Sequence, residues 1–308
     1  MKATRSAGGF TLIELLVAAT IALLLAAAML AVTGGTLGLW RRAQGGFTAN
    51  AQAKLVLDYL ERDLRGALWR DDGNTWLAVD GFDAALASHG WETTGALKPA
   101  ALGSAAVGSS GVDTTVAAAR FGRSGLWVRF VTSNVASEGA GRSLPIAVSY
   151  QVVRRALTSA SAPAAETIRY ALFRSFVSAE ATLAAGYHLP AHDAALIRPT
   201  LTDAIATNAI DFGVWLYRRE SDGRLRRIFP ETPVDLTHRS DSPANAPAVA
   251  DVMVRILSDE GAGLIAAIER GVAERPAEFG STEDWWWSVA RAHSRVYARR
   301  IEIGGARW

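Results

Sequence analysis

The most regular feature of the chain is a run of apolar residues near its start. Residues 10–32 are all apolar except Thr11, Glu14 and Thr20, and they include no lysine, arginine, proline or glycine. At a rise of ~1.5 Å per residue, such a run makes a helix of roughly 35 Å, enough to cross a ~30 Å hydrocarbon layer. The pattern predicts a transmembrane helix over residues 10–33.

A second helical pattern, amphipathic this time, covers residues 49–70. Leu57, Leu60, Leu64 and Leu68 recur at helical spacing, while charged residues occupy the other side. We predict that residues 34–72 form a stem helix whose apolar face packs on a globular head.

Three glycines, Gly34, Gly35 and Gly38, separate the two helical patterns. Each costs about 0.5–1 kcal/mol relative to alanine inside a helix. Two interpretations stay open: the first helix ends here, or the glycines soften a joint within one long helix.

Later segments alternate between β-branched or aromatic residues and polar ones, as strands do. They are residues 126–131, 146–155, 168–177, 210–218, 225–229, 252–257 and 296–303. A turn at 221–223 predicts that the fourth and fifth of these strands form a hairpin.

Residues 78–120, rich in small side chains, predict an irregular connection. Short helices are predicted over 263–270 and from an N-cap at Ser281 to Ser294. We expect an α+β head of antiparallel sheets over residues 73–308.

The overall charge gives no sign of a nucleic-acid partner. Lysines and arginines number 32 against 30 acidic residues, and Lys2 and Arg5 both lie in the first nine residues. Without those nine residues the balance is 30 against 30. The absence of cysteine excludes disulfides and thiolate sites. Lys2 and Arg5 predict that the short N-terminus stays in the cytoplasm and that the rest lies beyond the inner membrane.

Glu14 is the one charge inside the apolar run. An unpaired carboxylate in lipid costs at least ~2.5 kcal/mol. No basic residue lies nearby on the helix. The position therefore implies a cationic partner from elsewhere.

The start of the chain resembles the processing site of type IV prepilins and type II secretion pseudopilins. A basic leader, residues 1–9, ends in Gly8-Gly9 and is followed by FTLIELLV. The resemblance implies that a prepilin peptidase cuts between Gly9 and Phe10 and that Phe10 is then N-methylated. It also implies that Glu14 pairs with the terminal amine of a neighbouring subunit, which would supply the missing cation. The partners implied are this peptidase, other pilin or pseudopilin subunits, and inner-membrane lipid.

Two further resemblances concern the subtype. Residues 60–65, LERDLR, resemble the stem of large minor pilins and pseudopilins, the J type of type II secretion and the W type of type IV pili. The strand–helix–helix–strand ending is similar to a group of pilin-like proteins from verrucomicrobial cassettes. The first resemblance implies a filament subunit with a periplasmic head, not an enzyme; the verrucomicrobial group has no assigned role.

Other interpretations of the N-terminus and of the function stay open. An ordinary signal peptide would have a shorter apolar core and no acid near its start, although small residues at 26–28 could mimic a cleavage site. A plain membrane anchor explains the length of the run but not Glu14. The alternatives to a structural subunit are a filament-tip pilin that binds a surface or DNA, and an exported enzyme behind an ordinary signal peptide.

None of the candidate motifs for chemistry predicts an enzyme, a cofactor or a metal. His188 and His192 flank Pro190 without an H-E-x-x-H pattern. Gly261-Ala262-Gly263 is better explained as a helix start than as a dinucleotide loop. Asp71, Asp72 and Asn74 favour a turn over a calcium site.

Two sequence features are candidates for contacts with partner molecules. A basic hairpin, Arg218, Arg219, Arg224, Arg226 and Arg227, is interpreted as a solvated edge that guards against aggregation, with an anionic partner as the alternative. Trp285, Trp286 and Trp287 cannot all face one side of a helix, so we expect at least one to be exposed or to lie in an interface.

Overall fold

The computed structural model describes residues 11–81, 126–133, 144–157, 168–197, 199–231, 237–304 and 306–307. The chain divides into two units between Phe47 and Thr48. The first is helical, and the second contains the sheets.

Helix α1 runs from Leu12 to Arg65. The three glycines at 34, 35 and 38 lie inside it, so the interpretation that the helix ends there is wrong. The stem also ends earlier than residue 72, because the chain turns into the sheets after Arg65. Ala67 forms a bridge to Thr132, and Leu68 belongs to a strand.

The described residues contain four further α-helices: α2 (Ala179–Ala184), α3 (Asp193–Leu196), α4 (Asp259–Glu269) and α5 (Thr282–Ala292). Short 3-10 helices cover Leu189–His192, Leu201–Asp203 and Pro243–Asn245. The strands are β1 (Leu68–Trp69), β2 (Leu77–Gly81), β3 (Leu126–Thr132), β4 (Ile146–Ala156), β5 (Ile168–Val177), β6 (Ala204–Thr207), β7 (Ala209–Arg219), β8 (Leu225–Phe229), β9 (Thr237–Ser240), β10 (Val249–Leu257), β11 (Ser294–Glu302) and β12 (Ala306–Arg307).

Two antiparallel sheets build the second unit. The larger has six strands in the order β6-β5-β4-β3-β2-β9, and the smaller has four in the order β11-β10-β7-β8. Strands β1 and β12 pair in parallel and join residues near the end of α1 to the C-terminal segment. The predicted α+β class with antiparallel sheets is confirmed.

The predicted strands are confirmed with small changes at their ends, and the expected hairpin forms between β7 and β8. The irregular connection predicted from residue 78 is wrong at its start. There β2 is fully buried between β3 and β9, because Leu77 and Val79 contribute to the core despite their small neighbours. Residues 82–120 of that connection lie outside the described residues.

The main core lies between residues 48–65 of α1, which we call the second half of α1, and the two sheets. Val56, Leu60 and Leu64 of the helix are at most 2% exposed and pack with large side chains of both sheets. Tyr150 of the larger sheet approaches Phe212 of the smaller with ring centroids 6.5 Å apart. Burying each such side chain contributes about 1.5–3 kcal/mol. A second core covers the opposite face of the six-stranded sheet, around Trp127, Phe173, Leu189 and Leu196.

Gly261 and Gly263 both lie in α4, which begins four residues earlier than predicted. The reason is Ser258, whose side chain caps the helix by accepting a hydrogen bond from the Gly261 amide at 3.1 Å. A Cβ at Gly261 would collide with the Cβ of His293, whereas one at Gly263 would meet nothing within 4 Å. Only the first glycine is required by packing.

We therefore expect different effects of two alanine substitutions in the same helix on the stability of the protein. Gly261→Ala should destabilise the protein by about 1–3 kcal/mol through overpacking. Gly263→Ala should leave it unchanged or stabilise it by up to about 1 kcal/mol through helix propensity. Chemical denaturation of the full chain in detergent measures both. Equal effects of the two substitutions would contradict the close approach to His293.

Candidate processing and assembly site

The first turn of α1 is closed by Thr11 and Glu14. The Thr11 hydroxyl accepts a hydrogen bond from the Glu14 amide at 3.3 Å. In return, Glu14 Oε2 accepts from the Thr11 amide at 2.9 Å and from the Thr11 hydroxyl at 3.0 Å. This reciprocal pattern is a capping box, which satisfies helix amides that have no partner within the helix. It holds the Glu14 carboxylate beside the helix N-terminus.

The helix that follows is suited to lipid. Leu12–Thr36 is the segment, among the described residues, that is long and apolar enough to cross a membrane, and its side chains are exposed throughout. Thr20, Thr33 and Thr36 each donate their hydroxyl to the carbonyl four residues earlier, at 2.8 Å. Because these hydroxyls find partners within the helix, they need no water. The segment fits a membrane anchor.

The predicted cleavage position lies outside the described residues. Gly9 and Phe10 precede Thr11, the first residue that the structure describes. The cut between them and the methylation of Phe10 therefore stay predictions. So does the pairing of Glu14 with a neighbouring subunit.

A buried polar cluster fastens the second half of α1 to the six-stranded sheet. Asp63 is fully buried, and its carboxylate accepts from the Tyr150 hydroxyl at 2.5 Å and from Arg174 Nε at 2.7 Å. Its backbone carbonyl accepts from Thr132 Oγ1 at 2.8 Å. Burial raises the pKa of Tyr150 well above its ordinary value, and the Asp63 charge adds to the effect. The phenol therefore stays protonated and donates.

Sequence reasoning did not single out Asp63, although a signal was present. Asp63 follows Val56 by seven residues, which places it on the apolar face of the helix. A carboxylate on that face implies a buried partner, just as Glu14 does in the membrane helix. The sequence alone does not show that Tyr150 and Arg174, far along the chain, supply it.

The other side of this helix half carries surface ion pairs. Lys54 and Asp58, four residues apart, form an ion pair at 2.7 Å. Asp58 and Glu61 also accept from Arg299 of β11, at 2.8 and 2.6 Å. These contacts tie α1 to the edge of the four-stranded sheet through exposed and half-buried groups.

The arginines of the β7–β8 hairpin all have partners close at hand. The ion pairs are Arg218–Glu220 at 2.8 Å, Arg219–Glu302 at 3.2 Å, Arg224–Asp222 at 3.6 Å and Arg226–Glu231 at 2.9 Å. The Arg227 guanidinium lies 4.9 Å from the centre of the Trp215 ring. This arrangement favours the solvated edge over a site for an anionic polymer.

The three consecutive tryptophans differ in their burial. Trp286 and Trp287 are 1% and 4% exposed, and Trp286 Nε1 donates to Glu269 Oε1 at 3.1 Å. These two side chains lie inside the head, because α5 packs against both α4 and β11 and so is covered on more than one side; the predicted interface contact stays a prediction for Trp285. Trp285 is half-buried against the same core.

The candidate metal motifs form no metal site within the described part of the chain. Among the described residues, no group of three or more histidines and carboxylates could hold a metal ion. Asp72 instead accepts from Arg70 Nε at 2.9 Å and from the Asn74 amide at 3.1 Å. The arginine lowers the pKa of Asp72 to about 2. Residues 71–74 thus form the predicted turn.

Comparison with known proteins adds one finding. Residues 4–30 match the family described as the prokaryotic N-terminal methylation motif. Neither the curated proteins nor the solved structures gave a match. The matched stretch contains the leader glycines, Phe10, Glu14 and most of the apolar run. It supports a type IV pilin-like family for this chain.

Proposed function

We propose that the protein is a structural subunit, a minor pilin or pseudopilin, of a type IV pilus or a type II secretion pseudopilus. Proteins with this methylation motif are typically structural. In this proposal, prepilin peptidase cuts after Gly9 and methylates Phe10. The helix anchors the subunit in the inner membrane with the head in the periplasm, and the subunit then joins a filament.

The observation that carries the proposal is Glu14 at the first turn of an exposed apolar helix, within the matched motif. Thr11 supplies hydrogen bonds but no positive charge. A carboxylate in lipid is tolerable when it is paired with a cation. Cleavage before Phe10 would create that cation, because a methylated amine stays basic.

Glu14 can pair with the terminal amine of its own subunit or with that of a neighbouring subunit. Four residues of helix rise by about 6 Å, so pairing of Glu14 with the amine of its own chain is within reach. Pairing across subunits would also fix the register of the filament. We favour the second arrangement, since it gives the charge a role in assembly.

The second half of α1 is packed into the head. Leu60 and Leu64 of α1 belong to the main core, and Asp63 is bound by the six-stranded sheet. A force applied along the second half of α1 therefore acts on the whole sheet core. This suits a subunit that is pulled from the membrane by its helix.

We expect Glu14→Val to permit processing but to impair assembly. Valine is favourable in lipid, so insertion should not suffer. The neighbouring ammonium would lose its partner, at a cost of several kcal/mol. Thr20→Val is the matched control, because it also replaces a polar side chain of the same helix but removes only a bond to Leu16.

Co-purification of a tagged subunit with its filament partners from detergent measures the effect. The control should assemble as the unaltered chain does, and Glu14→Val should recover far fewer partners. If Glu14→Val assembles as well as the control, the pairing role of Glu14 is wrong.

A further inference from the structure

Residues 188–197, called the cover segment below, lie on the outer face of the six-stranded sheet. They comprise the 3-10 helix Leu189–His192, helix α3 and one residue at each end. Leu189 and Leu196 are fully buried in the second core. The Leu189 amide donates to the Thr75 carbonyl, and Gln151 Nε2 donates to the Leu196 carbonyl, both at 3.0 Å. The segment thus shields Trp127 and Phe173 from solvent.

Two histidine nitrogens are buried in this segment without a hydrogen bond. His192 is 6% exposed. Its Nε2, like Nδ1 of His188, has no hydrogen-bond partner within the described part of the chain. A neutral imidazole nitrogen tolerates such a place at a modest cost, whereas a protonated one carries a charge that burial strongly disfavours.

The charged groups that contact the cover segment or its flanking residues already have partners. Arg129 of β3 donates to Asp193 at 2.6 and 2.9 Å and also binds Asp80 of β2. Arg239 of β9 donates to Asp80 at 2.8 and 3.1 Å. At the two ends of the segment, Arg70 lies over the Tyr187 ring and Arg155 donates to the Pro199 carbonyl. Asp193 is the carboxylate next to His192, and Arg129 takes both of its oxygens.

These surroundings determine how the stability of the docked cover segment changes with pH. Burial lowers the pKa of His192 below its ordinary value; Asp193 opposes the shift and His188 adds to it. The released segment therefore binds protons more readily than the docked one. Its docking is fully stable above about pH 6.5 and weakens as the pH falls from there towards the lowered pKa.

We propose that the cover segment is an acid-sensitive cover, which proton uptake at His192 releases from the sheet. Release exposes the apolar side chains of the second core, including Trp127 and Phe173. The rest of the six-stranded sheet, held by its backbone ladder, stays folded. The proposal concerns the head alone and does not depend on the filament function.

Hydrogen exchange of the full chain in detergent tests the proposal. Peptides that contain Leu189 are compared at about pH 7.5 and about pH 5.5, on the two sides of the ordinary histidine pKa, after correction for the intrinsic exchange rates. We expect a loss of protection at low pH in the cover segment and not in peptides from β4 and β5. His192→Gln should abolish this pH dependence. His238→Gln, which alters a histidine bonded to Ser240 in β9, should retain it.

Two results would overturn the proposal. One is protection of the cover segment in the unaltered chain that is the same at both pH values or falls equally in β4 and β5. The other is a pH dependence that survives in His192→Gln. If His192→Gln does not fold, His188→Gln takes its place and should reduce the pH dependence. An undiminished response there would count against the histidine pair.

Discussion

Changing Gly9 to alanine should leave the chain as an unprocessed precursor in the membrane. The peptidase must accept an extended, small residue close to the start of a helix. Glycine meets no steric barrier there, whereas a Cβ at the cut site narrows the accessible backbone conformations. We expect mature protein to fall to an undetectable amount, which makes this an all-or-none effect.

Gly8→Ala is the matched control for this prediction. It adds the same methyl group one residue away from the bond that is cut, and we expect the chain to be processed. Intact-mass measurement of membrane-extracted protein distinguishes the precursor from the mature form, which lacks residues 1–9. Mature protein of normal mass in Gly9→Ala would count decisively against prepilin processing.

Asp63→Ala should destabilise the head by about 3–5 kcal/mol, the cost of breaking a buried ion pair from one side. The substitution removes the acceptor of both the Tyr150 hydroxyl and Arg174 Nε. The Arg174 side chain is only 12% exposed, so its charge would remain largely out of water without that carboxylate. Chemical denaturation of the full chain in detergent measures the loss.

Asp58→Ala is the control on the same helix. Asp58 also pairs with two cations, Lys54 and Arg299, but its side chain is 45% exposed. Exposed pairs of this kind contribute up to about 1 kcal/mol. If Asp63→Ala costs no more than Asp58→Ala, the buried cluster does not fasten the helix to the sheet.

The elements that the sequence predicted well are those whose pattern is long and local. The apolar run of α1 and the strands β3, β4, β5, β7 and β10 combine enough residues for the period or the composition to be recognised. The hairpin of β7 and β8 also has its turn residues in sequence. In each case neighbouring residues carry the information.

The features that were missed depend on distant partners. Strand β2 is short, and its place in the sheet comes from β3 on one side and from β9, more than 150 residues later, on the other. The parallel pair of β1 and β12 joins positions 68 and 306. The burial of Trp286 requires α4 and β11 to close over α5. None of these pairings can be inferred from a local pattern.

The residues of the candidate site also differ in how far the sequence alone identifies them. Glu14 stands out because a single charge interrupts an apolar run, and the structure adds Thr11 as its hydrogen-bond donor. Asp63 is the same kind of signal within an amphipathic face, where neighbouring charges on the other side conceal it. Its function in the head depends on Tyr150 and Arg174, whose approach only the folded chain shows.

The mature N-terminus of the chain tests the central claim most directly. The protein is purified from a host that carries a prepilin peptidase, and its N-terminal peptide is identified by mass spectrometry. We predict a chain that begins at Phe10 with one methyl group on its amine. A chain that begins at Met1, or after the small residues at 26–28 as an ordinary signal peptide would give, would contradict the proposed function.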